Sequence, residues 1–305
     1  MKMTKRIAAM AACAVMTVTS MVGMNASAAT DDHGNTMATA SLFSAASSSI
    51  SGKIDYAGDI DFFKYTATSS GIRHFYTTGS TDTYGYVYDS SGKLLTSGDN
   101  GGSNKNFRIG CELTSGQTYY VAVCAKERAY GTSYSLSTDI NPLNVTHLSQ
   151  VDSRWSSVML GTTSGNPTIG KSGCALTSFT MVVNFLKGTS YTPTNVNTTM
   201  GYDAYAYDSN GKAVGFMWST AKTKFSLSDC DTSRTKKQAI QDIADGKPVI
   251  IGIYKSDGNT HFLVAVNYLN GHFMVKDAGK SSSGTFNLDT AYPGSSIYRY
   301  VTYTK

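Results

Sequence analysis

The stretch KSGCALTSFTMVVNFLKG, residues 171–188, decides the reading of the second half of this chain. Leu176, Phe179, Val183 and Leu186 recur at three- and four-residue steps, which makes one face of a helix apolar. Ser172 stands where an N-cap accepts a backbone N–H, and Gly188 stands where a left-handed residue ends a helix. Cys174 then falls in the first turn. A thiol there lies among unpaired N–H groups at the positive end of the helix dipole, and both favour thiolate. A buried structural cysteine is the plainer alternative.

Downstream, RTKKQAIQDIADG (234–246) is a second amphipathic helix that stops at Gly246. KPVIIGIY (247–254), HFLVAVNYL (261–269) and HFMVKDA (272–278) are strands, the last two joined by Asn270-Gly271. Two helices followed by an antiparallel sheet make an α+β layout over 150–305. His261 opens its strand after the polar loop KSDGNT, so the sheet fixes the imidazole while it reaches outward. Asp277 ends the next strand, where a carboxylate can hold the far nitrogen and stabilise imidazolium. Taken singly, these are a strand-end histidine and a solvated acid. Together with Cys174 they follow the logic of a papain-type cysteine peptidase. His272 lies beside the turn, far from Asp277, and Cys230 has acidic neighbours that disfavour thiolate. Trp155 and Trp218 read as core or cleft-wall aromatics.

The hairpin sets a condition on that site. A two-residue Asn270-Gly271 turn pairs Leu269 with His272, and an unbroken ladder then puts His261 and Asp277 on opposite faces. A shared face needs a three-residue loop pairing Tyr268 with His272, or a bulge elsewhere. Leu263 then faces Asp277, with His261 on the diagonal at about 7–8 Å.

Upstream, residues 36–139 are strand after strand: DIDFFKYTA, GIRHFYTTG, TYGYVYDS, FRIGCEL, TYYVAVCA and TSYSLST. The SSG, DSSGK, SGDNGG and TSGQ between them are turn chemistry, and the whole reads as a β-sandwich without a catalytic set. Residues 1–28 have a basic start, the apolar run IAAMAACAVMTV and the small-residue site Ala26-Ser27-Ala28 of a signal peptide. The domains are thus a sandwich at 29–140, a linker at 141–149 and an α+β domain at 150–305.

Export removes Cys13 and leaves Cys111, Cys124, Cys174 and Cys230. If Ser115-Gly116 centres a hairpin, Cys111 and Cys124 are offset along it, so no essential disulfide is expected. The 15% charged residues fall below the usual value of about 25% and, with 29 Gly and 20 Tyr, suit β-rich secreted domains. Without the first 28 residues, 23 basic face 21 acidic residues, which leaves no electrostatic case for nucleic acid. No apolar run reaches the ~20 residues of a spanning helix. Asn144-Val145-Thr146 and Asn197-Thr198-Thr199 are formal glycosylation sequons. YDSSGK (88–93) and YDSNGK (207–212) are two hairpin turns of the same chemistry.

Two resemblances follow from these residues. DDHGNT (31–36), IDYAGDIDFFKYTA (54–67) and SGQTYYVAV (115–123) resemble the bacterial pre-peptidase C-terminal domain, which implies a jelly-roll-like sandwich. Some relatives are thought to bind a cation, which would place Asp59 and Asp61 as ligands; a turn and a strand cap are the alternative. SQVDSRW (149–155), TIGKSGCALTSFTMVVNF (168–185), DGKPVIIGI (245–253), HFLVAVNY (261–268) and VKDAG (275–279) resemble the double-glycine-leader-type peptidases. That resemblance implies a papain-like fold with Cys174 as nucleophile, His261 as base and then acid, and Asp277 as orienter. It maps the oxyanion glutamine onto Gln150, because Thr168 occupies the position six residues before the cysteine.

The expected function is a secreted, extracellular cysteine endopeptidase acting on protein or peptide through an acyl-enzyme. No cofactor or metal is expected at that site, and a cell-surface ligand is a candidate partner of the sandwich. A non-catalytic binding protein with a vestigial Cys/His/Asp set is the alternative.

Overall fold

The computed structural model describes residues 31–47, 49–126, 130–207 and 213–305. The stretch expected as a signal peptide, with Cys13, and the turn of YDSNGK lie outside the described residues. Contacts divide the chain into two compact units. One is Met1–Thr66, Phe75–Ile109 and Thr118–Thr138; the other is Ala67–His74, Gly110–Gln117 and Asp139–Lys305. The second unit thus takes two pieces from the range expected for the sandwich.

Alternating apolar and polar residues form nine strands among the described residues of the first half. They are β1 (Ser41–Leu42), β2 (Ser49–Ile54), β3 (Ile60–Thr66), β4 (Gly71–Gly79), β5 (Thr83–Asp89), β6 (Leu94–Gly98), β7 (Arg108–Leu113), β8 (Thr118–Ala125) and β9 (Thr132–Asp139). One sheet runs β1-β3-β8-β5-β6, while β4 joins β9, which joins β2, and β7 pairs with β4. Phe63, Tyr65, Phe75, Val87, Val121 and Leu136 are wholly buried between these layers. The rings of Tyr65 and Phe75 meet edge to face at 5.3 Å.

One expectation fails here. CELTSGQTYYVAVC is not a hairpin, because β8 lies between β3 and β5 while β7 pairs with β4. The Ser115-Gly116 turn instead carries the chain from one sheet to the other, as each strand buries its apolar face against the opposite layer. The four described cysteines form no disulfide.

The second unit has helices α1 (Ile169–Ser172), α2 (Cys174–Lys187), α3 (Pro193–Met200), α4 (Trp218–Lys224), α5 (Lys236–Ala244) and α6 (Leu288–Ala291). Its strands are β10 (Tyr205–Tyr207), β11 (Ala213–Phe216), β12 (Asp229–Asp231), β13 (Val249–Tyr254), β14 (Thr260–Leu269), β15 (His272–Asp277), β16 (Phe286–Asn287) and β17 (Ser296–Thr304). The main sheet runs β12-β17-β13-β14-β15-β16 with every pair antiparallel. Both of its faces are covered. Leu176, Phe179 and Val183 of α2 pack with Ile250, Val264 and Val301, while Ala239, Ile240 and Ile243 of α5 pack with Ile251, Leu263 and Val275. Each such buried side chain contributes about 1.5–3 kcal/mol. This explains why VIIGIY is apolar at successive positions rather than alternating.

The stretch expected as a linker is docked onto the second unit. Leu143 N–H donates to Val266 O at 2.8 Å, Asn267 Nδ2 donates to Ile140 O at 2.7 Å, and Val145 is 2% exposed. Asn144 is exposed, whereas Asn197 is buried, with its amide oxygen accepting from Gly161 N and its Nδ2 donating to Met159 O. Among the described residues no helix is long and apolar enough to cross a membrane.

Candidate functional site

Cys174 opens α2 as expected, but Ser172 does not cap that helix. Ser172 ends α1, which is capped by Thr168 Oγ1 accepting from Lys171 N. Gly173 N–H donates to Ile169 O at 2.7 Å and joins the two helices. A Cβ at Gly173 would stand 2.4 Å from Ile169 O, so this junction requires glycine. No side chain caps α2, which leaves the first-turn N–H groups open around a partly exposed sulfur. Gly188 ends α2 in the left-handed conformation at φ 65°.

The hairpin meets its condition through a bulge. Asn270 and Gly271 have φ values of 51° and 89°, so the dipeptide does make the two-residue turn, and Leu269 pairs with His272. The three-residue loop is therefore absent. The register shifts between Ala265 and Asn267, and beyond that point Ala265 pairs with Val275 and Leu263 with Asp277. Val266 is the extra residue. Its carbonyl takes the Leu143 N–H, and Asn267 Oδ1 accepts from Tyr268 N.

The bulge puts His261 and Asp277 on one face. His261 Nε2 meets Asp277 Oδ1 at 2.7 Å, and the imidazole also hydrogen-bonds with Cys174. Asp277 is wholly buried. Its Oδ1 also accepts from Gly279 N at 2.8 Å, and its Oδ2 accepts from Tyr292 OH at 2.6 Å. The backbone here is pinned from the docked segment. His147 Nε2 contacts Asp277 O at 2.8 Å, and Gln150 N–H donates to Ala278 O at 2.7 Å. A Cβ on Gly279 would stand 3.0 Å from His261 Cε1, so this glycine leaves room for the imidazole.

Burial alone would hold His261 neutral. Hydrogen bonds with Asp277 and Cys174 outweigh it and push its pKa up to about 9. Burial likewise works against the Asp277 carboxylate, but His261, Tyr292 and Gly279 together hold it below the usual carboxylate range. Stability should follow. The His261 contribution is complete below about pH 6.5, its ordinary value, and is lost as pH rises through about 9. The Asp277 contribution is lost at the acid end, as pH falls through its lowered value. Urea unfolding should show a decline on the order of 2–3 kcal/mol between pH 6.5 and 9 that is missing in His261→Ala. Parallel curves for the two proteins would contradict this.

Gln150 is buried, and its Nε2 donates to Gly170 O at 3.0 Å in α1, the short helix before Cys174. Because that carbonyl needs a donor, the amide orientation is settled, and the second Nε2 hydrogen remains uncommitted. His272 binds Asp289 and faces Leu269, away from Asp277. Burial pushes the Cys230 thiol up, with Asp229 adding to it, and pushes Cys111 up to about 12. Trp155 and Trp218 are buried in the core. Sequence reasoning missed Tyr292, His147 and Gly279. Only Gly279 carried a signal, two residues after Asp277 in VKDAG.

A second cluster lies in the first unit. Asp59 follows a turn with its N–H donating to Tyr56 O, and Asp61 lies in β3, its Oδ2 accepting from Tyr134 OH. Burial raises Asp59 to about 6 and Asp61 to about 8, and the Oδ1 of each lacks a hydrogen-bond partner. Asp31 brings an oxygen within 4.8 Å of those of Asp32 and Asp61, and likewise of Asp55 and Asp59. These carboxylates are the described residues that could hold a cation.

The profile of the Peptidase_C39-like family matches residues 142–302. No curated protein matches the sequence. Among solved structures, a C39-like peptidase from Bacillus anthracis is similar at 14% identity, covering 53% of this chain and 95% of that one, with a TM-score of 0.35. The pre-peptidase C-terminal domain of a collagenase from Bacillus anthracis is similar at 14% identity over 33% of this chain and 94% of that one, with a TM-score of 0.28. A periplasmic inhibitor of g-type lysozyme from Aeromonas hydrophila matches at 14% identity over 30% and 84%, with a TM-score of 0.24.

Proposed function

We infer that this chain, which belongs to the Peptidase_C39-like family over residues 142–302, is a secreted cysteine peptidase. The observation that carries the reading is the 2.7 Å contact of His261 Nε2 with buried Asp277, on an imidazole that also meets Cys174. With Nε2 held by the carboxylate, Nδ1 is the nitrogen left for the sulfur. The Cys174 thiolate attacks the substrate's carbonyl carbon, and His261 imidazolium gives its proton to the departing amine nitrogen. An acyl-thioester remains on Cys174. Water then attacks it with neutral His261 as base, releasing the acid and restoring the thiolate–imidazolium pair. The Gln150 amide and the open N–H groups at the start of α2 are suited to hold the oxyanion. The basic, apolar and small-residue order of residues 1–28 supports export.

Iodoacetamide labelling of the full chain at neutral pH tests this reading. Cys174 should be modified first and selectively, and His261→Ala should abolish the selectivity. Equal, slow modification of Cys111, Cys124, Cys174 and Cys230 would sink the catalytic assignment.

A further inference from the structure

We propose that Tyr292 is a positioning residue of this site, its hydroxyl fixing the Asp277 carboxylate so that Oδ1 faces His261. The inference rests on the peptidase reading above and adds a fourth side chain to its Cys174, His261 and Asp277 set. A buried carboxylate can turn about its last torsion, and each oxygen needs a donor. Oδ1 has two, His261 Nε2 at 2.7 Å and Gly279 N at 2.8 Å. Tyr292 OH, at 2.6 Å, is the side-chain donor to Oδ2. Without it, a charged oxygen on a wholly buried side chain would lose its partner, which is costly.

Tyr292 is itself held in place. It follows α6, its N–H donates to Leu288 O at 2.9 Å, and its carbonyl accepts from Ser295 N at 3.1 Å. Its ring lies 5.4 Å from the His261 ring, centroid to centroid, and Lys280 Nζ sits 5.9 Å from its centroid. Burial and the adjacent carboxylate raise its hydroxyl well above the usual tyrosine value, so it stays protonated and donates. One side chain thus touches both the base and the group that orients it. The hydrogen bond stabilises ionised Asp277, and ionised Asp277 in turn stabilises imidazolium.

Tyr292→Phe keeps the ring and removes only the hydroxyl. The rate of Cys174 alkylation by iodoacetamide is followed from pH 4 to 9 in the full chain, alongside peptide hydrolysis. In the variant the acid limb of the alkylation profile should move up by about one pH unit, since Asp277 then protonates more readily. At neutral pH kcat should fall about tenfold with KM within about twofold, as loss of one charge-assisted hydrogen bond implies. Superimposable alkylation profiles would overturn the proposal, as would a lowered Tm with the limb unmoved, the mark of a merely structural role. Should Tyr292→Phe fail to fold, difluorotyrosine at position 292, a stronger donor of nearly the same shape, must move the limb down; an unmoved limb again overturns it. A shifted limb in a protein that hydrolyses no peptide removes the peptidase reading and keeps Tyr292. Hydrolysis with an unmoved limb removes Tyr292 alone.

Discussion

Cys174→Ala should lower peptide hydrolysis by at least about 10⁴-fold, to the background left by binding and oxyanion stabilisation alone. The loss is expected to be this large because no other described cysteine offers a substitute nucleophile. Cys111 and Cys124 are buried, the Cys111 thiol pushed up to about 12, and burial and Asp229 disfavour ionisation of Cys230. The fold should be unaffected. Cys174 is only partly buried at a helix start, so removing its sulfur opens little cavity, and Tm should stay within a few degrees. Hydrolysis of a peptide library by purified full-length variant and parent measures the effect. Activity within tenfold of the parent would move the chemistry to another residue.

The second large effect is expected from Asp277→Ala, in the range of about 10²–10⁴-fold in kcat/KM. Burial is the largest influence on His261 and lowers its pKa; the hydrogen bond with Asp277 is the largest force opposing it. With the carboxylate gone, only Cys174 still opposes burial, so the imidazolium is less favoured. The alkaline limb of the pH–rate profile, expected near the His261 value of about 9 in the parent, should move down by more than one unit. Tyr292 OH and Gly279 N lose their acceptor at the same time, so stability should fall as well. The pH–rate profile separates the two losses. A drop in rate at every pH by the same factor, with the limb in place, would mean that Asp277 acts only as a strut.

Much of this molecule was legible in local sequence. The apolar spacing at Leu176, Phe179 and Val183 made α2, and Gly188 ended it, because helix periodicity and left-handed backbone are properties of a few adjacent residues. Strands β13, β14 and β15 and the Asn270-Gly271 turn are local in the same sense. So is the position of Cys174 at a helix start, next to a glycine that nothing larger could replace. β17 was missed, although SIYRYVTYT is rich in β-branched and aromatic residues and pairs with β13 from Ser296 to Val301 and with β12 beyond.

What local sequence could not settle was every relation that depends on two distant segments. Whether CELTSGQTYYVAVC closed a hairpin or crossed between sheets depended on which layer each strand buried its face against. The cap of α2 depended on a preceding helical turn ending at Ser172. The site depended on the bulge at Val266, stabilised by Leu143 and Ile140 from a segment that looked like a tether. From the order of residues it followed that His261 and Asp277 could share a face only if the ladder slipped by one. Where it slipped was decided by long-range hydrogen bonds, and Tyr292 reached Asp277 by the same means, since a contact across 15 residues leaves no period or spacing to read.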